Sequence, residues 1–438
     1  MHKLHSGYTV SASVDTLSVQ EVNRRLEDLN DEKGKFYRYC KRSASTLFIS
    51  GVLLPEENYR NKPLPATLVL AVTYCGPFQQ HVDDFIRPAK DGLGYLFRLC
   101  DNFPKGPDIS FQQLLDFIRG NRHTTVFNSN FHGISKCDVR KEKYLRARLE
   151  KYIDQLQSTP STRNLTALQI KHELEAEVVR WGGPFKWTRH HEPRHLVEIL
   201  ALNRQYIIPG TLALSLVIGS LAGKKSFFRV IAFACFLVAF IAVLLFISYY
   251  LSTKKHPVAP RIPDSRLRSI EATQLNPILN EMTAAGPLKP ERIRRYFFRL
   301  MLHAVGLVFA PLIKIPTVST IRWTLVNNSK RLVFLSNYAN TTDFYVRDFL
   351  VGKSPQGINF MFSHGQGFPS SDFLFRKGIT ADPEGYMNAV HNGQQVTRLW
   401  YAHDKNITAD IIKKNHAIRT GLFQPMTEPE ATAWLHLF

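Results

Sequence analysis

Polar side chains that could do chemistry concentrate in the C-terminal half of the sequence, after apolar runs typical of strands. Tyr338 ends one such run, His364 follows the next, and Tyr401, His403 and Asp404 close the last. Histidine titrates near neutral pH and also ligates haem iron, so His364 and His403 are candidate acid–base groups or axial haem ligands. Functional groups tend to collect where strands end on a rigid scaffold, so we expect these five side chains to line one site.

A structural interpretation stays open for these residues. His364 and Gly365 are also typical of a turn, and Trp400 is typical of a core position. The N-terminal half has residues 100–102 and 128–130 at the matching places and neither histidine. Any site is therefore expected once, in the C-terminal half.

Several large enzyme classes lack support, because the sequence has no GxGxxG, GxxxxGK[ST], HExxH or GxSxG motif. His190, His191 and His195 are spaced like metal ligands, but their arginine and lysine neighbours oppose a divalent cation. We therefore expect no metal site. Five cysteines without a CxxC pair indicate reduced thiols.

The formal net charge of +20 requires an acidic partner. Nucleic acid and the anionic cytoplasmic leaflet both qualify. The sequence has no RNP-type aromatic motif, and its basic residues crowd near an apolar segment. We therefore expect membrane lipids of the anionic leaflet as partners and no nucleic acid.

Two apolar runs near the middle of the chain predict a hairpin of transmembrane helices. Residues 230–251 carry no charge, and a bilayer core requires roughly 20 such residues as a helix. Residues 206–222 form a shorter uncharged run, and only residues 223–229 separate the two. The alternative is one span preceded by a buried or interfacial segment.

Basic residues flank the outer ends of both runs, at positions 186, 189, 194, 204, 254, 255, 261, 266 and 268. Such residues are retained on the cytoplasmic side of a membrane. We therefore expect a multi-pass membrane protein with two spans and both termini in the cytoplasm. No apolar segment typical of a signal peptide opens the chain.

The parts on either side of the hairpin are similar in sequence. Residues 68–74 match 332–338, and residues 124–149 lie without gaps over 397–422, which pairs Arg146 with Arg419 and Leu149 with Leu422. Several matches in the same order predict an internal duplication. In the first copy we expect strands at 8–14, 45–53, 66–74, 93–100 and 124–131, and helices at 17–29, 78–87, 109–119 and 138–156. In the second we expect a strand at 274–282, a helix over 290–313, and strands at 332–338, 357–363 and 398–403.

The predicted fold class is α+β, with two ferredoxin-like repeats that form an intramolecular α+β barrel and an inserted two-helix transmembrane hairpin. The boundaries are 1–160 for the first repeat, 161–205 for a helical basic juxtamembrane linker, 206–252 for the hairpin, 253–272 for a linker, 273–425 for the second repeat and 426–438 for a C-terminal tail.

A second membrane contact is expected from the helix at 297–313 and the arginines before it. This apolar stretch is too short to span a bilayer, and basic residues beside an apolar face suit a helix lying among lipid headgroups. A core helix that covers the sheet is the alternative. The residues expected to contact the membrane are Arg292, Arg295, Arg299, Phe297, Phe298 and Trp187.

The C-terminal half resembles a family of uncharacterised membrane proteins over about residues 274–422. The text RLVFLSNYANTTDFYVRDFL, SHGQGFP and RLWYAHDKNITADIIKKNHAIRTGL is similar to that family's LFLSNYDGSWESYLDDFI, SNTxGFP and WYSAYPDLTVxNIxxNxxIRxGL. Bacterial members are often encoded near, or fused to, dye-decolorizing-type haem peroxidases, which have the dimeric α+β barrel architecture. The resemblance implies a haem peroxidase as a candidate partner and haem as a candidate cofactor.

Two departures limit what the resemblance implies. The GxxDG motif of the peroxidases is absent, since residues 381–385 lack its leading glycine, so peroxidase activity is not transferred. His364 stands where the family usually has asparagine, so the family's role for that position is not transferred either.

Two functions are expected from the sequence. The first is a membrane-anchored accessory or binding protein that binds a partner protein or an apolar ligand. The competing one is a membrane-bound enzyme that acts on a lipophilic or haem-linked redox substrate through the five side chains named first.

Overall fold

Two five-stranded sheets form the framework of the protein. The computed structural model describes residues 3–106, 108–123, 125–189, 224–304, 306, 315, 317–341, 345, 355–375 and 378–438. The strands are β1 (His5–Ser13), β2 (Thr46–Leu54), β3 (Glu57–Tyr59), β4 (Lys62–Leu64), β5 (Thr67–Cys75), β6 (Arg122–His123), β7 (Thr125–Ser129), β8 (Leu279–Pro287), β9 (Val318–Val326), β10 (Arg331–Ala339), β11 (Gln394–Gln395) and β12 (Leu399–Ala402).

Helices cover the outer faces of these sheets and form a separate cluster beside them. They are α1 (Val19–Asn30), α2 (Lys35–Arg42), α3 (Phe78–His81), α4 (Lys90–Phe97), α5 (Phe111–Gly120), α6 (Lys136–Ser158), α7 (Ala167–Trp181), α8 (Lys224–Ser252), α9 (Asp264–Glu271), α10 (Arg292–Ala304), α11 (Pro355–Phe362), α12 (Gly378–Ala381), α13 (Pro383–Gly393), α14 (Ala409–Gly421) and α15 (Glu428–Leu435).

Each sheet takes one edge strand from the other half of the chain. The first sheet has the order β12-β2-β5-β1-β6, and the second has β11-β8-β10-β9-β7. All of their pairings are antiparallel. The stretches 1–160 and 273–425 therefore interlock, because each contributes a strand to the sheet that the other builds.

The two sheets pack face to face through aliphatic side chains that alternate along their strands. Alternation places every second side chain on the shared face. Full burial of one such side chain stabilises the fold by about 1.5–3 kcal/mol. The first sheet contributes Val52, Leu54, Val69 and Ala71, and the second contributes Ala285, Val326, Val333 and Leu335.

The helices α6 and α14 follow the two exchanged strands and pack together. Ser135 caps α6 and Thr408 caps α14, each with a side-chain oxygen that accepts from the third residue of its helix. The helices α7 and α15 complete this cluster, in which Trp434 of α15 is buried. The predicted C-terminal tail thus contains a packed helix.

The helix α8 is long and apolar enough to cross a membrane between Ile231 and Ser252, a length of 22 residues. Most of its large apolar side chains are exposed, Phe236 and Phe246 among them. The other predicted span, at 206–222, lies outside the described residues.

The α+β class of the prediction is confirmed, with antiparallel sheets and, among the described residues, one helix apolar enough to cross a membrane. Two predicted strands, at 93–100 and 357–363, are wrong, because α4 and α11 occupy them. In α4 the buried residues Leu93, Leu96 and Phe97 follow helical spacing. The strand predicted at 274–282 begins later, since Asn276 accepts from the backbone N–H groups of residues 278 and 279 in a turn. Of the predicted helix 290–313, α10 covers residues 292–304.

Candidate functional site

The five side chains expected at one site lie in separate places. Tyr338 packs on the outer face of the second sheet, where its ring stacks on Tyr345 at 4.1 Å. Tyr401 lies on the outer face of the first sheet, and its hydroxyl accepts from Lys136 Nζ at 2.9 Å. Asp404 pairs with Lys143 at 2.6 Å. The two tyrosines therefore belong to different hydrophobic cores.

His403 lies at one end of the space between the sheets. Its ring packs edge-on against Phe48 at 5.3 Å, and neither ring nitrogen has a hydrogen-bond partner among the described residues. Burial lowers the pKa of His403 to about 3, with Lys136 adding to the effect. The imidazole is therefore neutral across the physiological range.

His364 is enclosed by aromatic rings and buried cations. Its ring stacks on Phe298 at 4.5 Å and meets Phe360 edge-on at 5.1 Å. Burial, with Arg294 and Lys289 nearby, holds the pKa of His364 well below its usual range. His364 is fully buried and lines none of the three cavities that the structure describes.

An ion-pair network joins α10 to the end of α8. Arg294 donates from Nε to Glu291 at 2.6 Å and from Nη2 to the carbonyl of Leu251 at 3.3 Å. His256 pairs with the same Glu291 at 2.6 Å. The carbonyl groups at the C-terminal end of a helix lack partners within it, so this contact fixes α10 against α8.

The exposed face of α10 mixes apolar and basic side chains. Ile293, Tyr296 and Leu300 are 41%, 63% and 44% exposed, and Arg292 and Arg299 lie on the same surface. Such a face suits the headgroup region of a bilayer.

The other predicted membrane contacts lie elsewhere. Phe297 and Phe298 are buried, since Phe297 packs on Leu251 and Phe298 packs in the core of the second sheet. Trp187 packs against the α6 helical cluster, with Lys141 Nζ 5.6 Å from its ring centre.

A cleft of about 340 Å³ opens between the end of β8, the start of β10 and the helices α11 and α13; we call it the Phe362 cleft. Ligand pockets usually have volumes of this order and mostly apolar walls. Its apolar walls include Leu332, Phe334, Phe362 and Phe368, and its polar groups include Glu57, Arg266 and Gln366.

A buried ion pair lies beside this cleft. Arg331 is fully buried, and its Nη2 lies 3.1 Å from Glu57 and donates to the carbonyl of Pro55 at 2.9 Å. Burial raises the pKa of Glu57, and Arg331 opposes that rise. Arg266 also lines the cleft, so the charged groups of its lining are Arg266 and Glu57, with Arg331 buried behind Glu57.

The loop that walls the cleft is attached to the segment leaving α8. Gly365 pairs with Leu288, and Gly367 accepts from the backbone N–H of Ala259 at 2.8 Å. Ala259 follows Leu251 by eight residues, which span at most about 29 Å when extended. Phe360 of α11, two residues before Phe362, packs against the cluster formed by Leu251 and Phe297, so the cleft lies close to the end of the apolar helix.

Two buried charges between the sheets were missed from the sequence. Arg322 donates to the carbonyls of Tyr8 at 2.8 Å and Val72 at 3.1 Å, and so bonds the second sheet to the first. Glu281 is fully buried nearby, and burial raises its pKa to about 7. The sequence carried a signal for both residues. Glu281 in β8 and Arg322 in β9 each stand at a position of an alternating run whose side chains face the other sheet.

Comparison with known protein families, with curated protein sequences and with solved structures finds no match. In the part of the chain that the structure describes, no group of three or more His, Cys, Asp and Glu side chains is arranged to hold a metal ion.

Proposed function

We propose that this chain is a membrane-anchored binding protein, and that the Phe362 cleft holds an apolar ligand with an anionic headgroup. The observation that carries the proposal is the cleft itself, with aromatic walls, Arg266 in its lining, and Glu57 held by the buried Arg331. Fatty acids and related amphiphiles have this chemistry. Such ligands partition into membranes, and the cleft lies close to the end of α8.

The anchor in this proposal is a hairpin of two spans with both termini in the cytoplasm. The later of these two spans corresponds to α8. The apolar character of α8 and its exposed side chains support that span. Basic residues that follow α8, such as Lys254 and Lys255, favour a cytoplasmic exit. The mixed face of α10 then rests on the anionic leaflet.

The soluble part, in this proposal, consists of two ferredoxin-like repeats that arose by duplication. The order β6-β1-β5-β2 and the order β11-β8-β10-β9 both match the antiparallel order of that fold, and each sheet then adds the exchanged strand.

Contacts between α6 and α14 support the duplication as well. Arg146 lies 3.3 Å from Asn415, and Arg419 lies 2.7 Å from Glu142. When residues 124–149 are laid over 397–422, Glu142 aligns with Asn415 and Arg146 aligns with Arg419. Each of the two contacts therefore has the other as its counterpart, as expected for two copies related by an approximate twofold axis.

The sequence also predicts a partner protein as the bound molecule. The family resemblance predicts that this partner is a haem peroxidase. An enzyme acting on a lipophilic or haem-linked redox substrate is the less favoured function. Its five candidate side chains share no cavity among those described, and His364 is fully buried.

Binding can be measured with stearic acid that carries a doxyl spin label. Trp323 lies 5.2 Å from Phe334 and 6.3 Å from Phe362, both of which line the cleft, so a bound spin label should quench its fluorescence. We expect saturable quenching in the delipidated, detergent-solubilised chain. The quenching should disappear when Trp323 is replaced by phenylalanine.

Glycines offer a matched pair of variants. A Cβ atom added at Gly286, which lines the cleft, meets no atom within 4 Å, and the same holds for Gly120 at the end of α5. Gly286→Phe should fill the cleft and abolish saturable quenching, whereas Gly120→Phe should retain it. Equal quenching in both variants would show that the acid binds elsewhere, and the proposal would then fail.

A further inference from the structure

A second cavity, of about 300 Å³, lies beside α10 on the opposite edge of the second sheet from the Phe362 cleft. Four of its lining side chains are Arg122, His123, Arg299 and His303. The described residues that line it include no carboxylate. A cavity with this charge distribution favours an anion.

The basic groups come from two separate elements that the fold brings together. Arg122 and His123 form β6, whereas Arg299 and His303 lie one turn apart on α10. Val126 of β7, three residues after His123, and Leu302 of α10 belong to one apolar core and also line the cavity, so the chain just after β6 packs against α10. The cluster is therefore a product of the tertiary fold.

Two of the basic side chains are held in place by neighbours other than carboxylates. The guanidinium of Arg122 lies 5.3 Å from the ring centre of Phe78 and 5.7 Å from that of Tyr8. His303 Nδ1 donates to the carbonyl of Arg299 at 2.7 Å, which leaves Nε2 as the ring nitrogen for a ligand. Preorganised groups lose less conformational entropy when they bind.

The turn between β9 and β10 adds neutral donors. Asn328 and Ser329 line the cavity, and both have left-handed backbone conformations, with φ of 55° and 61°. Their amide and hydroxyl groups can donate to phosphate oxygens beside the arginines. Arginine is well suited to such oxygens, because its N–H groups match them in pairs.

The position of α10 indicates where the anion comes from. Met301 packs with Phe297 against Leu251, together with Leu244 and Ile247 of the last two turns of α8. Arg299 and His303 flank Met301 along the helix. Two residues along a helix turn through about 200°, so the cavity lies on the side of α10 away from α8, near the end of the proposed span.

We propose that this cavity binds the phosphate-bearing headgroup of an anionic membrane lipid. The inference rests on the anchoring part of the proposed function and not on the ligand of the Phe362 cleft. The headgroup would contact Arg122 from the sheet and Arg299 from the helix at once, so bound lipid would hold α10 against β6.

The test titrates dihexanoyl phosphatidic acid into the full chain in detergent and follows binding by native mass spectrometry. We expect one saturable site, and about tenfold weaker binding in Arg122→Gln and in Arg299→Gln, since each removes one charge-assisted contact. Arg38→Gln is the matched control, because Arg38 is exposed on α2 and lines none of the cavities that the structure describes. It should bind within about twofold of the unmodified chain, because a distant exposed charge is screened.

Three results would overturn the proposal. Dihexanoyl phosphatidylcholine could bind as tightly as phosphatidic acid, or Arg38→Gln could weaken binding as much as Arg122→Gln. Inorganic phosphate could displace the lipid at an equal concentration, which would identify a free-phosphate site instead. Doxyl-stearate quenching in the same preparation distinguishes the two proposals, since its persistence would mean that only the headgroup site has failed.

Discussion

Glu281 should make the stability of this protein depend on pH across the neutral range. The carboxyl is fully buried between the sheets, and burial raises its pKa from 4.5 to about 7. The folded chain therefore holds this proton more tightly than the unfolded chain. The resulting stability is fully present below pH 4.5 and is lost as the pH rises towards 7.

The magnitude follows from the two pKa values. A tenfold difference in proton affinity corresponds to about 1.4 kcal/mol, so ionisation of Glu281 should cost about 3 kcal/mol of the free energy of unfolding above pH 7. Glu281→Gln removes this cost and keeps an oxygen that can accept from Thr283 Oγ1, now 2.7 Å away. The variant should match the unmodified chain near pH 4.5 and exceed its stability at pH 8.

The assay is unfolding in detergent from pH 4.5 to 8, followed by tryptophan fluorescence. Trp323 is fully buried in the second sheet and reports its loss. Glu384→Gln, at an exposed position of α13, controls for the loss of a carboxylate. If the stability of Glu281→Gln has the same pH dependence as that of the unmodified chain, the assignment of Glu281 as a buried, protonated group is wrong.

Three further outcomes follow from the packing. Arg419→Ala should lower the free energy of unfolding by about 3–5 kcal/mol in denaturant titrations, because it leaves the buried Glu142 carboxylate with a histidine alone; a loss below 1 kcal/mol would contradict this. Ser135→Ala should cost about 1 kcal/mol in the same titration, since it removes the cap of α6, and an unchanged midpoint would argue against the cap. In brominated-lipid bilayers, fluorescence of Tyr296→Trp should be quenched and that of Tyr144→Trp, an exposed position on α6, should not; equal quenching would remove α10 from the membrane surface.

Local patterns were enough to predict much of the sheet framework. The strands β1, β2, β5 and β10 alternate between faces or run as short apolar segments, and the sequence locates each within a few residues. The same patterns misassigned α4, because an apolar run of that length fits a strand or a helix equally well. The similarity between residues 124–149 and 397–422 predicted a duplication. It did not predict which strands of the two halves pair with each other.

The strand exchange and the sites depend on tertiary structure that no local pattern encodes. The strand β7 pairs with β9, almost two hundred residues further along the chain, and no pattern within either strand specifies that partner. The Phe362 cleft likewise combines Glu57 with Arg266 and Phe362, which no spacing rule connects. The five polar residues first chosen were strand-end residues, yet alternation placed Tyr338 and Tyr401 on outer faces, away from the shared one.

The most direct test of the proposed function is the lipid that the chain carries out of the membrane. The full chain and the variants Gly286→Phe and Gly120→Phe would be purified in the same mild detergent, extracted with organic solvent and analysed by quantitative mass spectrometry. We predict about one acidic amphiphile per chain in the unmodified protein and in Gly120→Phe, and a several-fold lower amount in Gly286→Phe. An equal amount of the same lipid in all three samples would contradict the assignment of the Phe362 cleft as a binding site.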